Sequence, residues 1–348
     1  MQTSLGLKIM VGIVAAVVVA AAAYLARAVF APLVLALFVI AVVWPLQRTL
    51  QLRMPKLLAL AVTIVAMATA GYVFASLVIW AFGRLGRTLA ADAARYQALY
   101  DSVMVWLEAR DISLAALWAE HFNVGWLLRS GQQITGRINA TLSFWLITFT
   151  YVVLGLLEVD DMSAKIQSMN NREASRAILA GARATAAKLR KYMWVRTQMS
   201  VVTGLLVGLF AWIAGLPSAT EWGVIAFVLN YIPFIGSFIA TLFPTLLAMT
   251  QFQTWEAVLL VFICLNIIQF LVGSYLEPRV AGSVLSISPS LVLFSIFFWA
   301  FLWGLFGAFI GVPITLAALT FCSQHPSSRW LSEILGSPTQ GASAAKIR

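Results

Sequence analysis

Two blocks decide the fold of this chain: Asn230-Tyr-Ile-Pro233-Phe-Ile-Gly236, and Trp303-Gly304-Leu-Phe-Gly307 with its continuation to Pro313. They interrupt two long apolar segments, at residues 222–250 and 288–319. Helix breakers inside a lipid bilayer are costly unless the freed backbone groups are buried in protein or line a watery cavity. Paired interrupted segments are also typical of transporter binding sites. We therefore expect a solute path near these blocks.

The composition around these blocks is that of a membrane protein with several spans. Apolar residues make up 61% of the chain and charged residues 10%, and the mean hydropathy is +0.92. Soluble domains are about 45–50% apolar and about 25% charged. The net charge of +10 lies in short basic clusters between apolar spans. That pattern indicates cytoplasmic loops rather than a nucleic-acid-binding face.

The hydropathy pattern predicts an all-α polytopic membrane protein with about six full transmembrane helices. The spans are expected at residues 7–26, 29–46, 57–82, 138–157, 192–215 and 256–275. The two interrupted segments are predicted to be opposed re-entrant hairpins that present half-helix ends to a small polar solute. The alternative is that both cross the bilayer, which makes eight spans.

Two polar segments supplement the spans of this single membrane domain, residues 1–348. Segment 84–137 mixes acids with bases and repeats its apolar residues every three or four positions, which predicts an amphipathic helical insert. Segment 158–191 has a large basic surplus from Lys165 onward and predicts a cytoplasmic amphipathic loop near anionic headgroups, or else a solvated face. The basic loops 48–56 and 165–191 should both be cytoplasmic. Both termini are then cytoplasmic and the insert lies outside.

Polar residues within apolar sequence are the first candidates for function. Glu277 is a hypothetical coupling or gating carboxylate, with Arg279 two positions on; a surface ion pair is the alternative. Pro278 between them favours a helix end. Asn230, Asn266 and Gln269 can offer hydrogen bonds to a solute or between helices.

Glycines and prolines of the interrupted segments are expected to shape the backbone. Gly307 and Gly311, four residues apart, should let the arms of the second hairpin approach closely. The complete set of candidate path or coupling residues is Asn230, Pro233, Gly236, Asn266, Gln269, Glu277, Arg279, Ser288, Gly304, Gly307, Gly311 and Pro313.

Other chemistries find little support in the sequence. Cys264 and Cys322 form no CxxC pair, and His121 and His325 stand alone, so we expect no metal and no cofactor. A GxxxxGK[ST] motif is absent, which argues against ATP-driven transport by this chain. No nucleophile–base set indicates an enzyme.

Together, several blocks resemble the AI-2E (autoinducer-2 exporter, PerM-like) transporter family. They are the two blocks that open this section, Glu277-Pro-Arg-Val-Ala-Gly282, Leu285-Ser-Ile-Ser-Pro289, and Lys191-Tyr192 with Arg196-Thr197, Ser200 and Gly204. One departure is Ala300, where a glycine is expected after Trp299. The resemblance is strongest over residues 190–320 and weak over 84–137.

This resemblance implies a multi-pass exporter of the bacterial inner membrane. It also implies a homopentamer with oppositely placed hairpins and an elevator-like motion. The first hypothesis is export of a small polar, autoinducer-2-like molecule by alternating access around the hairpins. The second is a Na⁺/proton antiporter that uses Glu277, and the third is a non-transporting scaffold or regulator.

Overall fold

A computed structural model describes residues 5–91, 138–252, 254–281, 287–324 and 328–335, together with scattered residues between 94 and 110. Nearly all of these residues are helical, and these ranges contain no strand. The predicted all-α membrane architecture is confirmed. Most of the predicted insert at 84–137 lies outside the described residues.

Helices follow one another along the described chain, and a π-helical turn, Leu271–Leu276, joins two of them. They are α1 Leu5–Leu25, α2 Arg27–Gln51, α3 Lys56–Ala91, α4 Ile138–Gln167, α5 Arg172–Ile213, α6 Ala219–Leu229, α7 Ile235–Gln251, α8 Trp255–Phe270, α9 Glu277–Ala281, α10 Pro289–Gln324 and α11 Arg329–Leu335. Six helical stretches within the described residues are long and apolar enough to cross a membrane.

Helix α5 differs from the prediction, because it joins the basic loop to the fifth span. We expected the loop to end at residue 191 and the span to start at residue 192, yet one helix of 42 residues covers both. Its first half is rich in alanine, the best helix former. Between Gly181 and Gly204 the sequence has no glycine or proline, so nothing there ends the helix.

The described chain divides into two compact units. The first unit comprises Met1–Val65, Ser143–Trp194 and Ala281–Arg348. Side chains bonded to distant backbone carbonyls join its helices: Gln47 Nε2 donates to Leu156 O at 3.3 Å, Arg190 Nη1 to Ala41 O at 3.0 Å, and Trp303 Nε1 to Ala23 O at 3.0 Å.

The second unit comprises Ala66–Leu142 and Val195–Val280. Its buried apolar core is Ala81, Leu85, Val207, Ala211, Leu216, Trp222, Ile225, Ala226, Ala240, Leu247, Ala248, Val261 and Leu265. Glycines bring α5 and α6 together. A Cβ on Gly223 would lie 2.8 Å from Gly204 O and 3.0 Å from the Gly208 Cα. The Gly204-x-x-x-Gly208 spacing therefore serves close helix contact.

Helices α6 and α7 form hairpin 1 in the second unit. The chain leaves α6 at Leu229 and turns through residues 230–234. Gln251 Nε2, at the end of α7, donates to Gly215 O, just before α6, at 2.7 Å. The segment therefore folds back on itself instead of forming one straight rod.

The turn of hairpin 1 depends on backbone that few residues tolerate. Phe234 has φ +61°, a conformation that costs a non-glycine residue of order 1–3 kcal/mol. A Cβ on Gly236 would overlap the Leu229 carbonyl group. The break predicted at Pro233 and Gly236 is therefore where the chain reverses.

Helix α10 forms hairpin 2 in the first unit. Its backbone reverses at Gly304, which has φ +65° and ψ −143°. The arms touch across the turn, because Ser295 Oγ donates to Thr315 Oγ1 at 2.8 Å. A Cβ on Gly307 would overlap the Trp299 carbonyl group, so the expected close approach of the arms is confirmed.

One detail of hairpin 2 differs from the prediction. We placed Gly304, Gly307, Gly311 and Pro313 together at the break, whereas Gly304 alone has the reversing conformation. Gly307 and Gly311 instead line the second arm where it meets the first, and Pro313 lies within that arm, inside regular helix. Re-entry into the bilayer and opposed orientation of the hairpins stay predictions.

Candidate functional site

The candidate site is a polar face of α5. It lies where this helix enters the second unit, just after Val195. Arg196, Thr197 and Ser200 lie within little more than one helical turn. Each of the three makes a side-chain contact with another element of the unit. Polar groups in an apolar span are costly to maintain and by default indicate function.

An ion pair forms one half of this face. Arg196 Nη1 donates to Glu277 Oε2 at 3.1 Å, and the two side chains are only 9% and 12% exposed. Removing one partner of such a buried pair leaves an uncompensated charge, which costs about 3–5 kcal/mol. Glu277 is therefore the charge partner of Arg196 on α5.

The turn of hairpin 1 contacts the other half of the face. Asn230 Nδ2 donates to Ser200 Oγ at 3.3 Å, and Tyr231 Oη and Thr197 Oγ1 share a hydrogen bond of 3.1 Å. Two aromatic rings meet the Tyr231 ring edge-on, those of Phe74 at 6.0 Å and Phe227 at 5.7 Å. The turn is thus held against α5 by polar and aromatic contacts together.

A further hydroxyl continues this face one turn along α5. Thr203 is fully buried, and within the described part of the chain its Oγ1 has no hydrogen-bond partner. A buried hydroxyl without a partner costs about 1–3 kcal/mol. Thr203 therefore extends the polar face of α5 into the buried interior of the second unit.

Glu277 and Arg279 have different partners, contrary to one of our alternatives. The Arg279 guanidinium stacks on the Tyr275 ring, 3.9 Å from its centroid. Nor does Pro278 end the helix, since residues continue in helical conformation to Ala281. A π-helical turn over Leu271–Leu276 precedes the proline, and such turns accommodate a missing backbone N–H.

Three other candidates lie apart from this cluster of contacts. Asn266 is exposed, and its Nδ2 donates to Phe262 O of its own helix at 2.8 Å. Gln269 is half-buried, and its Nε2 has no partner among the described residues. Ser288 Oγ accepts a hydrogen bond from Leu291 N at 3.3 Å, which is the geometry of a helix N-cap.

Sequence reasoning missed the α5 half of the site. Arg196, Thr197 and Ser200 supported only the family resemblance and were not candidates themselves. A signal was present, because an arginine followed four residues later by a serine, in sequence that becomes a span, predicts one polar helix face. Among the described residues, no group of three His, Cys, Asp or Glu side chains could hold a metal ion.

A comparison with known protein families finds a match that covers most of the chain. The model of the AI-2E family transporters matches residues 13–326. The chain belongs to the AI-2E transporter family. Transport is thus the coarse function that the family carries, and the polar face just described lies inside the matched region.

Proteins named as transport proteins or putative transport proteins are among the relatives of this AI-2E chain. It is 28% identical to the AI-2 transport protein TqsA of Escherichia coli K12, over 95% of this chain and 96% of the relative. A putative transport protein of Borreliella burgdorferi is 32% identical over 55% of the chain and 52% of its own length. YhhT, a putative transport protein of Escherichia coli K12, is 29% identical over 58% and 57%.

Proposed function

We propose that this protein exports a small polar molecule, similar to autoinducer-2, across the bacterial inner membrane by alternating access. The observation that supports this most is the polar face of α5 at the turn of a broken helix, with Ser200 on Asn230 and Thr203 unsatisfied beside them. A carrier needs hydrogen-bonding groups at a break in a membrane helix, because there backbone and side chains can reach a solute.

Hairpin 1 is the mobile binding element in this proposal. Its turn contacts α5 through two hydrogen bonds, Asn230 to Ser200 and Tyr231 to Thr197. Each such bond contributes only about 0.5–1.5 kcal/mol, so a solute that replaces them can shift the turn. Hairpin 2, with its reversal at Gly304, is the second broken element of the same mechanism. The proposal also includes a homo-oligomer, which the family resemblance suggests is a pentamer, with both termini of each chain in the cytoplasm.

Efflux from cells or proteoliposomes tests this function. Asn230→Ala and Ser200→Ala should each lower autoinducer-2 efflux by about two- to tenfold, as expected for the loss of one hydrogen bond, while the protein still folds and reaches the membrane. Asn266→Ala is the matched control, since Asn266 is exposed and its amide donates to Phe262 O of its own helix. The proposal fails if all three variants export like the parent protein, or if Asn266→Ala is as defective as the others.

A second candidate function, Na⁺/proton antiport, is favoured by the buried carboxylate of Glu277. A coupling carboxylate must exchange its partner during the cycle, and Glu277 has one in Arg196. Proteoliposomes with a pH-sensitive dye would show Na⁺-dependent proton movement that disappears in Glu277→Gln. Absence of any Na⁺-dependent signal in the parent protein removes this alternative and leaves the exporter.

A further inference from the structure

A small polar pocket lies in the first unit, among α5, the second arm of hairpin 2 and α11. Its volume is about 150 Å³. Polar side chains supply much of its lining, unlike the apolar surface of most of this membrane chain. They are those of Lys188, Thr320, Ser323 and Ser332.

The charge of this pocket is positive and not neutralised within the described residues. Lys188 is half-buried, and neither ion pair found in the described part of the chain involves it. The Thr320 hydroxyl donates to Leu316 O at 2.7 Å, and the Ser323 hydroxyl to Thr320 O at 2.7 Å. Because the charged group of this pocket is the Lys188 ammonium, we expect its ligand to be an anion.

An apolar cavity of about 270 Å³ adjoins the polar pocket. Leu319 lines both spaces. Helix α11 also contributes to both, with Ser332 in the polar pocket and Leu335, one turn later on the same face, in the apolar cavity. The other walls of the cavity include Phe294, Phe298, Trp299, Ala318 and Cys322.

The polar groups in the wall of the apolar cavity are already bonded to one another. Ser295 Oγ donates to Thr315 Oγ1 at 2.8 Å, and Trp299 Nε1 donates to the same oxygen at 3.4 Å. The cavity therefore offers a ligand mainly dispersion and apolar contact. Its volume lies just below the range of small-molecule sites, roughly 300–1,000 Å³.

We propose that the two spaces together bind one anionic phospholipid, its phosphate at Lys188 and the start of an acyl chain in the apolar cavity. Lysine binds phosphate as a point charge, and basic residues near a membrane surface attract anionic lipids. Free phosphate shares the headgroup chemistry but leaves the apolar cavity unused. This inference stands on first-unit residues alone and does not depend on the exported solute.

Cys322 provides a direct probe, because it lines the apolar cavity and the chain has only one other cysteine. Full-length Cys264→Ser protein is reconstituted in phosphatidylcholine vesicles with increasing phosphatidylglycerol, and the rate of Cys322 alkylation by N-ethylmaleimide is measured. Phosphatidylglycerol should slow the reaction. Lys188→Gln should need about fivefold more phosphatidylglycerol for the same protection, whereas Lys188→Arg should need no more than the parent.

Arg183→Gln is the matched control, because it removes the same charge from an exposed position of the same helix. It should leave the protection unchanged. Ala318→Phe should weaken protection by filling the apolar cavity while Lys188 is intact. The proposal is overturned if Cys322 reacts as slowly in pure phosphatidylcholine as in vesicles that contain phosphatidylglycerol. It is also overturned if Arg183→Gln weakens the protection as much as Lys188→Gln does. Protection by inorganic phosphate alone also overturns it, since phosphate has no chain to cover the thiol.

Discussion

Neutralising either member of the Arg196–Glu277 pair should destabilise the protein more than neutralising both. The guanidinium and carboxylate are 3.1 Å apart, with side chains 9% and 12% exposed. Glu277→Gln leaves a buried arginine without its counter-ion, which costs about 3–5 kcal/mol. Arg196→Gln leaves the reverse charge at a similar cost. In the double variant no uncompensated charge remains, so most of the penalty disappears.

Thermal unfolding of the four purified, detergent-solubilised proteins, followed by tryptophan fluorescence, measures this double-mutant cycle. Arg279→Gln is the control, because this arginine is exposed and stacks on Tyr275, a contact that contributes about 0.5–1 kcal/mol. Both single variants should melt well below Arg279→Gln, and the double variant above either single. Strictly additive losses, or single variants that melt like Arg279→Gln, would refute a buried, mutually compensating pair.

Two further substitutions test how the hairpins are built. Gly307→Ala should destabilise the protein by about 1–3 kcal/mol or more, because the added methyl group would overlap the Trp299 carbonyl group, which belongs to the backbone; Gly71→Ala, in open space on α3, should be neutral or stabilising by up to about 1 kcal/mol in the same melting assay. Tyr231→Phe removes the bond to Thr197 and should cost about 0.5–1.5 kcal/mol, with faster protease cleavage in the hairpin 1 turn; unchanged cleavage would show that the bond to Thr197 does not help to hold the turn.

Local sequence predicted the breaks of both hairpins better than it predicted where the other helices begin and end. Gly304 and Pro233 interrupt apolar runs, and lipid offers no hydrogen bonds to freed backbone groups, so a reversal there is dictated locally. Helix length was harder to predict, because the join of loop and span in α5 depends on the absence of breakers over some twenty residues. Pro278 likewise looked like a helix end, yet a π-helical turn absorbs it.

Amino-acid sequence by itself determined the membrane class, the all-α architecture and the two apolar segments that are interrupted, since each follows from apolar length and from residues that do not easily continue a helix. Only the tertiary structure decided which polar groups meet. Arg196 and Glu277 are 81 positions apart, and Ser200 and Asn230 are 30 apart. Their pairing depends on the glycine contacts that set α5 against α6, and no local pattern encodes the partner of a buried charge.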